Sequence, residues 1–217
     1  MPTGKVTAIR AQQRNSQRVS LFIDGEFALG VSLNTLAHER IAVGSEIDEE
    51  AWIRLEQVEQ ADQALQAAAR QLEVRPRSVA ELRTFLRRKQ HPPEAIEHAV
   101  TRLTELGLLN DAAFSQVWIE NRRSFRPRGT QALRAELQRK GVQRTVIDAA
   151  LAADPSDPED ERRQAEELAR SRLDRYRTCA DYLTFQRRLG GFLMRRGYSG
   201  EIVHPIISQL WAELSDS

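Results

Sequence analysis

The chain repeats one pattern of apolar and basic residues three times, and this repetition constrains its fold more than any other feature. The second copy lies 51 residues after the first, and the third lies a further 56 residues along. The copies read Leu82, Leu86, Arg88, Lys89, Gln90, Ile96, Ala99 and Val100, then Leu133, Leu137, Arg139, Lys140, Gly141, Ile147, Ala150 and Leu151, then Leu189, Leu193, Arg195, Arg196, Gly197, Val203 and Ile207. Such a period, with helical spacing inside it, is typical of tandem three-helix repeats, in which each unit buries its apolar face partly against its neighbours.

Helical spacing begins near residue 48. One stripe of apolar residues predicts a long helix or two abutting helices. The stripe consists of Ala51, Leu55, Val58, Ala61, Leu65, Ala68 and Leu72. Later boundaries are marked by a capping box at Ser78 and Glu81 and by prolines at 92 and 93, which fit only the start of a helix. Gly107 fits a helix end, and we expect Asp111 to cap the next helix, with Phe114, Val117 and Trp118 facing inward.

The first 31 residues alternate apolar and polar side chains, which is the pattern of a β-strand. Strands are predicted at 4–12, 18–23 and 26–31, with a turn at Asn15-Ser16 and a type I′ hairpin at Asp24-Gly25. A sheet this small needs a helix to pack on. The segment Ser32 to His38 and the helix that opens near Asp48 are the predicted cover.

The predicted fold class is mainly α, with tandem three-helix repeats in an elongated, curved array behind a small antiparallel β subdomain. The predicted segments are 1–47 for the β-rich subdomain and 48–108, 109–154 and 155–217 for the three repeats. Asp154-Pro-Ser-Asp-Pro158 is the most linker-like stretch, and Asp157 is expected to cap the helix that follows it.

Charge is distributed unevenly along the chain. The total is 32 Lys and Arg against 31 Asp and Glu, for a net charge of +1. Residues 75–144 hold 15 of the basic and only 7 of the acidic side chains, so the middle third is strongly positive and both outer thirds are acidic. A field concentrated in this way favours an acidic partner, either a nucleic acid or an acidic protein groove.

The candidate binding residues are twelve cations of this middle third, which we call the twelve candidate cations. They are Arg83, Arg87, Arg88, Lys89, Arg122, Arg123, Arg126, Arg128, Arg134, Arg139, Lys140 and Arg144. The repeated basic pairs also have a simpler interpretation, because helix C-termini favour cations and Gly141 and Gly197 fit the left-handed position after a helix. The other arginines, four of them in a predicted loop at 122–128, exceed what capping requires, so we expect the group as a whole to bind a partner.

The connector Ser124-Phe-Arg-Pro-Arg-Gly129 is basic, aromatic and unfavourable for a helix. It fits a clamp that stacks on nucleic-acid bases and holds phosphates, and it fits a plain interhelical loop with Phe125 in the core, which is the interpretation we favour. Trp118 is expected in the core with Arg122 over its ring, in a cation–π contact. Trp52 and Trp211 are also expected to pack rather than to bind a ligand.

Catalytic and cofactor chemistry finds little support in the sequence. His38, His91, His98 and His204 are scattered without metal-ligand spacing, and the lone Cys179 excludes an intramolecular disulfide. Gly190-Gly191 lacks the Lys-Ser/Thr of a phosphate loop. We therefore expect no enzyme activity, no metal and no cofactor. No apolar stretch approaches the length of a membrane span, and the first residues do not look like a secretory signal, so we expect a cytoplasmic protein without membrane contact.

The motifs together resemble the RecX family of regulatory proteins. The residues that carry this resemblance are Arg18-Val-Ser-Leu-Phe-Ile-Asp-Gly-Glu-Phe27, Arg77-Ser-Val-Ala-Glu-Leu82, Leu106-Gly-Leu-Leu-Asn-Asp-Ala-Ala-Phe114 with Trp118 and Arg122, and Glu136-Leu-Gln-Arg-Lys-Gly141. The resemblance is clear over 60–213 and looser over 6–60. Two departures are Gln90, where the family pattern has Gly, and the loop His91-Pro92-Pro93.

The resemblance implies a protein that is not an enzyme, lodges in the groove of RecA recombinase filaments on DNA and restrains filament growth, ATP hydrolysis and strand exchange. The expected partners are therefore the RecA filament and either single- or double-stranded DNA, and the expected state is a monomer. The rival hypothesis is a helical protein that binds DNA directly, without a recombinase. Against this rival, the net charge is near neutral and both outer thirds are acidic, unlike a compact basic DNA-binding domain.

Overall fold

A computed structural model describes residues 2–13, 15–154 and 158–215 of the chain. The protein is mainly helical and has a small antiparallel sheet near its N-terminus. It forms two compact units, Met1–Leu109 and Asn110–Ser217. The first unit holds the sheet and the first repeat, and the second unit holds the other two repeats.

The sheet has four strands in the order β3-β2-β1-β4. They are β1 (Gly4–Gln12), β2 (Asn15–Ile23), β3 (Glu26–Ser32) and the short β4 (Glu46–Ile47). The Asp24-Gly25 hairpin is confirmed, because Ile23 pairs with Glu26 and both turn residues have positive φ, 48° and 88°. The predicted Asn15-Ser16 turn is wrong: a register shift after Ala11 pairs Gln12 with Asn15, so β2 already begins there.

Two helices cover this sheet as predicted. Helix α1 (Leu33–Glu39) is capped by Ser32, and helix α2 (Glu49–Val74) is capped by Asp48, whose carboxylate accepts from the Ala51 amide at 2.7 Å. Helix α2 is one continuous helix of 26 residues. Trp52 and Leu55 pack with Val6, Leu21 and Val31 in one buried cluster, so the expected packing role of Trp52 is confirmed.

The buried stripe of α2 differs from the predicted one. Its buried residues are Trp52, Leu55, Glu59, Ala64 and Ala68. Val58 and Ala61 are only partly buried, because the first half of α2 packs on the sheet and the second half packs on the first repeat. The buried Glu59 carboxylate accepts from the Ser32 amide at 2.8 Å and pairs with Arg18 at 2.7 Å, so it ties β2, β3 and α2 together.

The first repeat consists of the second half of α2, α3 (Val79–Arg88) and α4 (Pro93–Glu105). The predicted capping box of Ser78 and Glu81 is present, and Pro93 opens α4 as expected. The Leu82 and Leu86 side chains of α3 are fully buried against Ile96 and neighbouring residues of α4.

The second repeat consists of α5 (Asp111–Phe125), α6 (Thr130–Arg139) and α7 (Arg144–Ala152). The predicted Asp111 cap is wrong, because the side chain of Asn110 accepts from the Ala112 and Ala113 amides and starts the helix one residue earlier. Phe114 is buried as expected, whereas Val117 is 49% exposed and Ile119 takes the inward position.

The third repeat consists of α8 (Pro158–Arg170), the short helices α9 (Tyr182–Phe185) and α10 (Gly191–Arg195), and α11 (Gly200–Ser215). A single π-helical turn, Gln186–Gly190, joins α9 to α10. Trp211 packs against the buried core of this repeat as predicted. The predicted cap Asp157 lies outside the described residues.

The repeat inferred from the sequence is confirmed position by position. Leu82, Leu133 and Leu189 are each 0% exposed, so the same side chain is buried in α3, in α6 and in the π-helical turn that leads into α10. Lys89, Lys140 and Arg196 form the C-caps of α3, α6 and α10. The next residue has positive φ in all three repeats: 63° at Gln90, 77° at Gly141 and 91° at Gly197. The basic pairs therefore end helices, as the capping interpretation predicts.

Candidate interaction surface

Eleven of the twelve candidate cations divide into those paired with internal carboxylates and those exposed without such a pair, and the twelfth, Lys140, lies over the ring of Trp118. The paired group is Arg83, Arg122, Arg123, Arg128, Arg134 and Arg144. Arg144 belongs to it only weakly, since its side chain is 80% exposed and 3.7 Å from Asp148.

One ion pair is common to the first two repeats. Arg83 of α3 pairs with Glu97 of α4 at 2.6 Å, and 51 residues later Arg134 of α6 pairs with Asp148 of α7. The hydrogen bond from Arg83 lowers the pKa of the Glu97 carboxyl below its ordinary value, and the charges of Arg83 and Arg87 act in the same direction. These two arginines therefore join the middle and last helices of their repeats.

Arg123 is the most enclosed of the twelve, with a side chain only 10% exposed. It lies in the last helical turn of α5, as does Arg122, so the prediction that both belong to a loop is wrong. The helix continues because α5 keeps its hydrogen bonds to Arg126, whose amide bonds to the Arg122 carbonyl. Arg123 pairs with Asp154 at 3.2 Å and approaches Glu161 of α8 at 3.9 Å.

Glu161 also caps α6 across the junction of the second and third repeats. Its carboxylate accepts from the Thr130 amide at 2.8 Å and from the Thr130 hydroxyl at 2.6 Å. An acidic group is favourable at this place, because it satisfies free amides and faces the positive end of the helix dipole. Arg123, Glu161 and Thr130 therefore join α5, α8 and the start of α6.

Glu136 of α6 accepts hydrogen bonds from two side chains of the second repeat and lies near a third. Its carboxylate accepts from Arg122 Nε at 2.7 Å and from Trp118 Nε1 at 2.9 Å, and Arg128 Nε lies 3.7 Å away. Burial alone would raise the pKa of this carboxyl. The hydrogen bonds from Arg122 and Trp118 and the nearby arginine charges outweigh burial, so the pKa lies below its ordinary value and Glu136 stays ionised.

Trp118 carries cations on its ring. The Arg122 guanidinium lies 4.4 Å from the ring centroid, which confirms the predicted contact, and Lys140 Nζ lies 4.9 Å from it. The indole is partly buried and packs beside the core of the second repeat. Trp118 is therefore a packing residue that also holds two of the candidate cations in place.

The remaining candidate cations other than Lys140 are Arg87, Arg88, Lys89, Arg126 and Arg139. All five are exposed. Within the described residues, no carboxylate lies within salt-bridge distance of any of them. Arg87, Arg88 and Lys89 follow one another at the end of α3, so they form a compact cationic corner on the first unit.

Phe125 corrects the interpretation favoured from the sequence. Its side chain is 78% exposed at the end of α5, next to the exposed Arg126. Helix α5 runs through Phe125, so the ring lies in the last turn of a helix and not in a loop, and it lies beyond Ile119, the last buried residue of α5. An exposed aromatic ring beside a guanidinium group is suited to contact with a partner.

Two acidic residues with important contacts were not found from the sequence, Glu136 and Glu161. The repeat offers one signal for Glu136, because the equivalent position in the first repeat is the partly buried, apolar Phe85. No signal exists for Glu161, whose partners lie 31 residues away.

Two searches of the described residues concern other kinds of function. Among them, no three or more His, Cys, Asp or Glu residues are placed to hold a metal ion. In the same part of the chain, no helix is both long and apolar enough to cross a membrane.

Comparison with known proteins addresses the family of the chain. Four RecX domain profiles match it: the regulatory protein RecX N-terminal domain at 4–48, and the first, second and third RecX three-helix domains at 64–103, 110–151 and 159–207. The chain belongs to the RecX family. Regulatory protein RecX of Mycolicibacterium smegmatis is 39% identical over 150 residues, which cover 68% of this chain and 79% of the relative. Regulatory protein RecX of Lactobacillus delbrueckii is 30% identical over 97% of this chain and 76% of its own length.

Solved RecX structures share the fold. A crystal structure of regulatory protein RecX superposes with a TM-score of 0.79 at 24% identity and covers 93% of this chain and 98% of that one. RecX from Lactobacillus salivarius superposes with a TM-score of 0.63 at 20% identity, over 70% of this chain and 97% of that one. A mainly helical RecX fold with three three-helix domains and a small N-terminal sheet is thus confirmed, while the segment boundaries 1–47, 48–108, 109–154 and 155–217 stay a prediction.

Proposed function

We propose that this RecX-family chain binds RecA recombinase filaments on DNA and mainly inhibits filament growth, ATP hydrolysis and strand exchange. The observation that carries the proposal is the cationic corner of Arg87, Arg88 and Lys89, which is exposed and has no carboxylate within salt-bridge distance in the described residues. Family membership supports a regulatory role. The chain is proposed to act in the cytoplasm, as a monomer and without catalysis of its own.

The proposed mechanism is docking of exposed cations on acidic surfaces of the filament. Several exposed Arg and Lys residues together create a positive field around this part of the surface. This field attracts an acidic partner and raises its rate of association. Contacts to two neighbouring recombinase subunits would act together, because the second contact forms at high effective concentration. A chain that bridges two subunits would fix or block their rearrangement, which is how we propose that it restrains growth and turnover.

The twelve candidate cations have different roles in this proposal. Arg87, Arg88, Lys89, Arg126 and Arg139 are the proposed contacts, because they are exposed and lack an ion pair within the described residues. Arg83, Arg122, Arg123 and Arg134 are proposed to support the surface from within, since each has a close carboxylate. Arg128, Lys140 and Arg144 combine a nearby internal partner with partial or high exposure.

The second candidate is direct binding to DNA without a recombinase. The exposed Phe125 beside Arg126 favours it, because aromatic rings next to guanidinium groups are a common surface for nucleic-acid bases. Salt separates the two candidates: binding to DNA alone weakens linearly in log–log form as salt rises. A filament regulator binds the recombinase–DNA–nucleotide complex far better than it binds the bare strand.

The test is recombinase ATPase activity on single-stranded DNA, titrated with the chain and with Arg87→Gln/Arg88→Gln/Lys89→Gln. We expect the wild type to inhibit and the variant to need a much higher concentration. The matched control is Arg54→Gln/Arg70→Gln/Arg102→Gln, which removes the same charge from exposed residues of the same unit and should inhibit like wild type. A wild type without effect on ATPase would refute the proposed function, and equal inhibition by all three proteins would refute the assigned corner.

A further inference from the structure

The junction of the second and third repeats carries a cleft of about 270 Å³, which is lined by two of the twelve candidate cations and by one further arginine. The second repeat contributes Arg128, Glu136 and Arg139 to its walls, and the third repeat contributes Met194 and Arg195. Arg195 was not among the candidates. It is the repeat equivalent of Arg139, so the same position of two successive repeats supplies a guanidinium group to one cleft.

Backbone contacts fix the two walls of the cleft. The Gly129 amide donates to the Arg196 carbonyl at 3.0 Å, and the Gln131 amide donates to the Gly197 carbonyl at 3.2 Å. The chains approach so closely that a Cβ on Gly197 would lie 2.3 Å from the Ala132 amide nitrogen. The spacing between α6 and α10 is therefore set by main-chain atoms and not by flexible side chains.

The cleft is strongly electropositive. Arg128, Arg139 and Arg195 line it, whereas Glu136 is its one acidic lining residue. Glu136 is already engaged by Arg122 and Trp118. Arg128 Nε is buried and has no hydrogen-bond partner within the described residues. Three guanidinium groups thus line the cleft with a single carboxylate, and this excess of positive charge leaves capacity to bind an anion.

An apolar groove of about 560 Å³ adjoins the cleft and shares Met194 with it. Leu183 and Met194 on its wall are 73% and 50% exposed. The groove lies where the first two repeats have their common ion pair, because the equivalents of Arg134 and Asp148 are Gly190 and His204, and both line the groove. Replacement of a long arginine by glycine leaves this face of the third repeat open.

We propose that single-stranded nucleic acid lies across this surface, with its phosphates in the cationic cleft and its bases against the apolar groove. Planar guanidinium groups bind phosphate oxygens in pairs, and the exposed apolar side chains of the groove offer a surface against which the flat faces of bases can pack. The proposal rests on the proposed function in one respect: the strand is the DNA on which the filament is assembled.

An acidic protein segment is the competing occupant, and the surface favours nucleic acid over it. A strand alternates anionic phosphates with flat apolar bases, and the cleft and groove offer the matching cationic and apolar halves side by side. Phe125, exposed at the start of the connector that carries Arg128, adds a ring on which a further base can stack.

The test measures fluorescence anisotropy of labelled oligothymidylate with the full chain, without recombinase, over a range of salt concentrations. We expect Arg139→Glu/Arg195→Glu to weaken binding by about tenfold. Two lost phosphate contacts should also make the slope of log affinity against log salt shallower by about 1.4, because each contributes about 0.7 for a single strand. The matched control, Arg175→Glu/Arg177→Glu, changes the same charge on exposed residues of the same repeat and should bind like wild type.

A second variant separates the apolar half of the site from the charged half. Leu183→Ala/Met194→Ala should weaken binding several-fold and leave the salt slope unchanged, since no phosphate contact is lost. Both side chains are exposed, so the fold should be retained, and circular dichroism checks this.

Three outcomes would overturn the proposal. These are wild-type strand binding too weak to measure, equal binding by the Arg139/Arg195 variant and its control, and a variant that binds strands normally but filaments poorly, which would assign the cleft to an acidic protein surface. Recombinase ATPase inhibition is measured separately with the same proteins. Inhibition by a chain that binds no free strand would refute the cleft alone, and strand binding without inhibition would refute the proposed function alone.

Discussion

The second and third repeats share one helical pattern but tie their helices together differently. In the second repeat, Arg134 of α6 pairs with Asp148 of α7, so the middle and last helices are joined. In the third repeat Arg170 of α8 takes this role and pairs with Glu213 of α11 at 2.7 Å, so the first and last helices are joined instead. The equivalent of Arg134 in the third repeat is Gly190, which has no side chain to form an ion pair.

This difference teaches that an apolar repeat fixes the fold while its charged positions remain free to change. Leu133 and Leu189 are both fully buried, and so are Ile147 and its equivalent Val203. The exposed ion pair between the helices contributes little free energy in such a place, so it can move to another pair of helices at small cost. The position it leaves becomes available for binding.

The largest effect is predicted for Gly197→Ala, which breaks a contact between the second and third repeats. A Gly197→Ala Cβ would lie 2.3 Å from Ala132, and the residue has φ 91°. Left-handed strain and overpacking together should lower the free energy of unfolding by about 3 kcal/mol or more. Urea unfolding followed by circular dichroism measures it. Gly107→Ala is the control for strain alone, because φ is 70° and no atom lies near its Cβ; it should cost about 1 kcal/mol. Equal losses for both variants would contradict the close approach.

The next largest effect is predicted for removal of Glu161, the acidic residue of α8 that caps α6 of the second repeat. Glu161→Ala should destabilise the chain by about 2 kcal/mol, because α6 loses its cap and Arg123 loses one of its carboxylates. Urea unfolding at neutral pH is the measurement. The control is Glu159→Ala on the same helix, whose side chain is 71% exposed and which should change stability by no more than about 0.5 kcal/mol. Similar values for the two variants would show that Glu161 does not join the repeats.

Several local features of the fold could be predicted from the sequence. Spacing within a few residues predicts the buried positions of all three repeats, the capping box at Ser78, the Asp24-Gly25 hairpin and the helix end after each basic pair. Periodicity and capping are local, so they are visible in one sequence.

The charged contacts could not be predicted in the same way. Glu59 bonds to Ser32, 27 residues away, and Arg123 bonds to Asp154, 31 residues away. Opposite charges are frequent along this chain, and nothing in spacing alone selects the true partner. The exposure of Phe125 was also missed, because the buried residues of α5 end at Ile119 and spacing alone does not tell where along a helix the core ends.

A smaller effect concerns the position after the middle helix, where the first repeat differs from the other two. Gln90 has φ 63° where the second and third repeats have glycine. Gln90→Gly should therefore raise the free energy of unfolding by about 0.5–1 kcal/mol, because glycine relieves left-handed strain that exceeds its own entropy cost. Thermal unfolding measures the gain. Gln90→Ala keeps the strain and should give none, so a matching gain with alanine would point to the side chain and not to the backbone.

The smallest effect is predicted for the ion pair between Arg170 and Glu213, which joins α8 to α11 in the third repeat. The hydrogen bonds from Arg170 and Gln209 lower the pKa of the Glu213 carboxyl to about 2. A lowered pKa in the folded state stabilises the protein above the ordinary pKa of glutamate, and this stabilisation is lost as the pH falls towards 2. Glu213→Gln should therefore lower stability slightly at neutral pH and flatten the decline in acid. The carboxyl shift of Glu213 in an NMR titration checks the pKa directly, with Glu201→Gln on the same helix as the control for lost charge. The effect is small because both partners are largely solvated, and an ordinary pKa at Glu213 would mean that α8 and α11 are held by apolar packing alone.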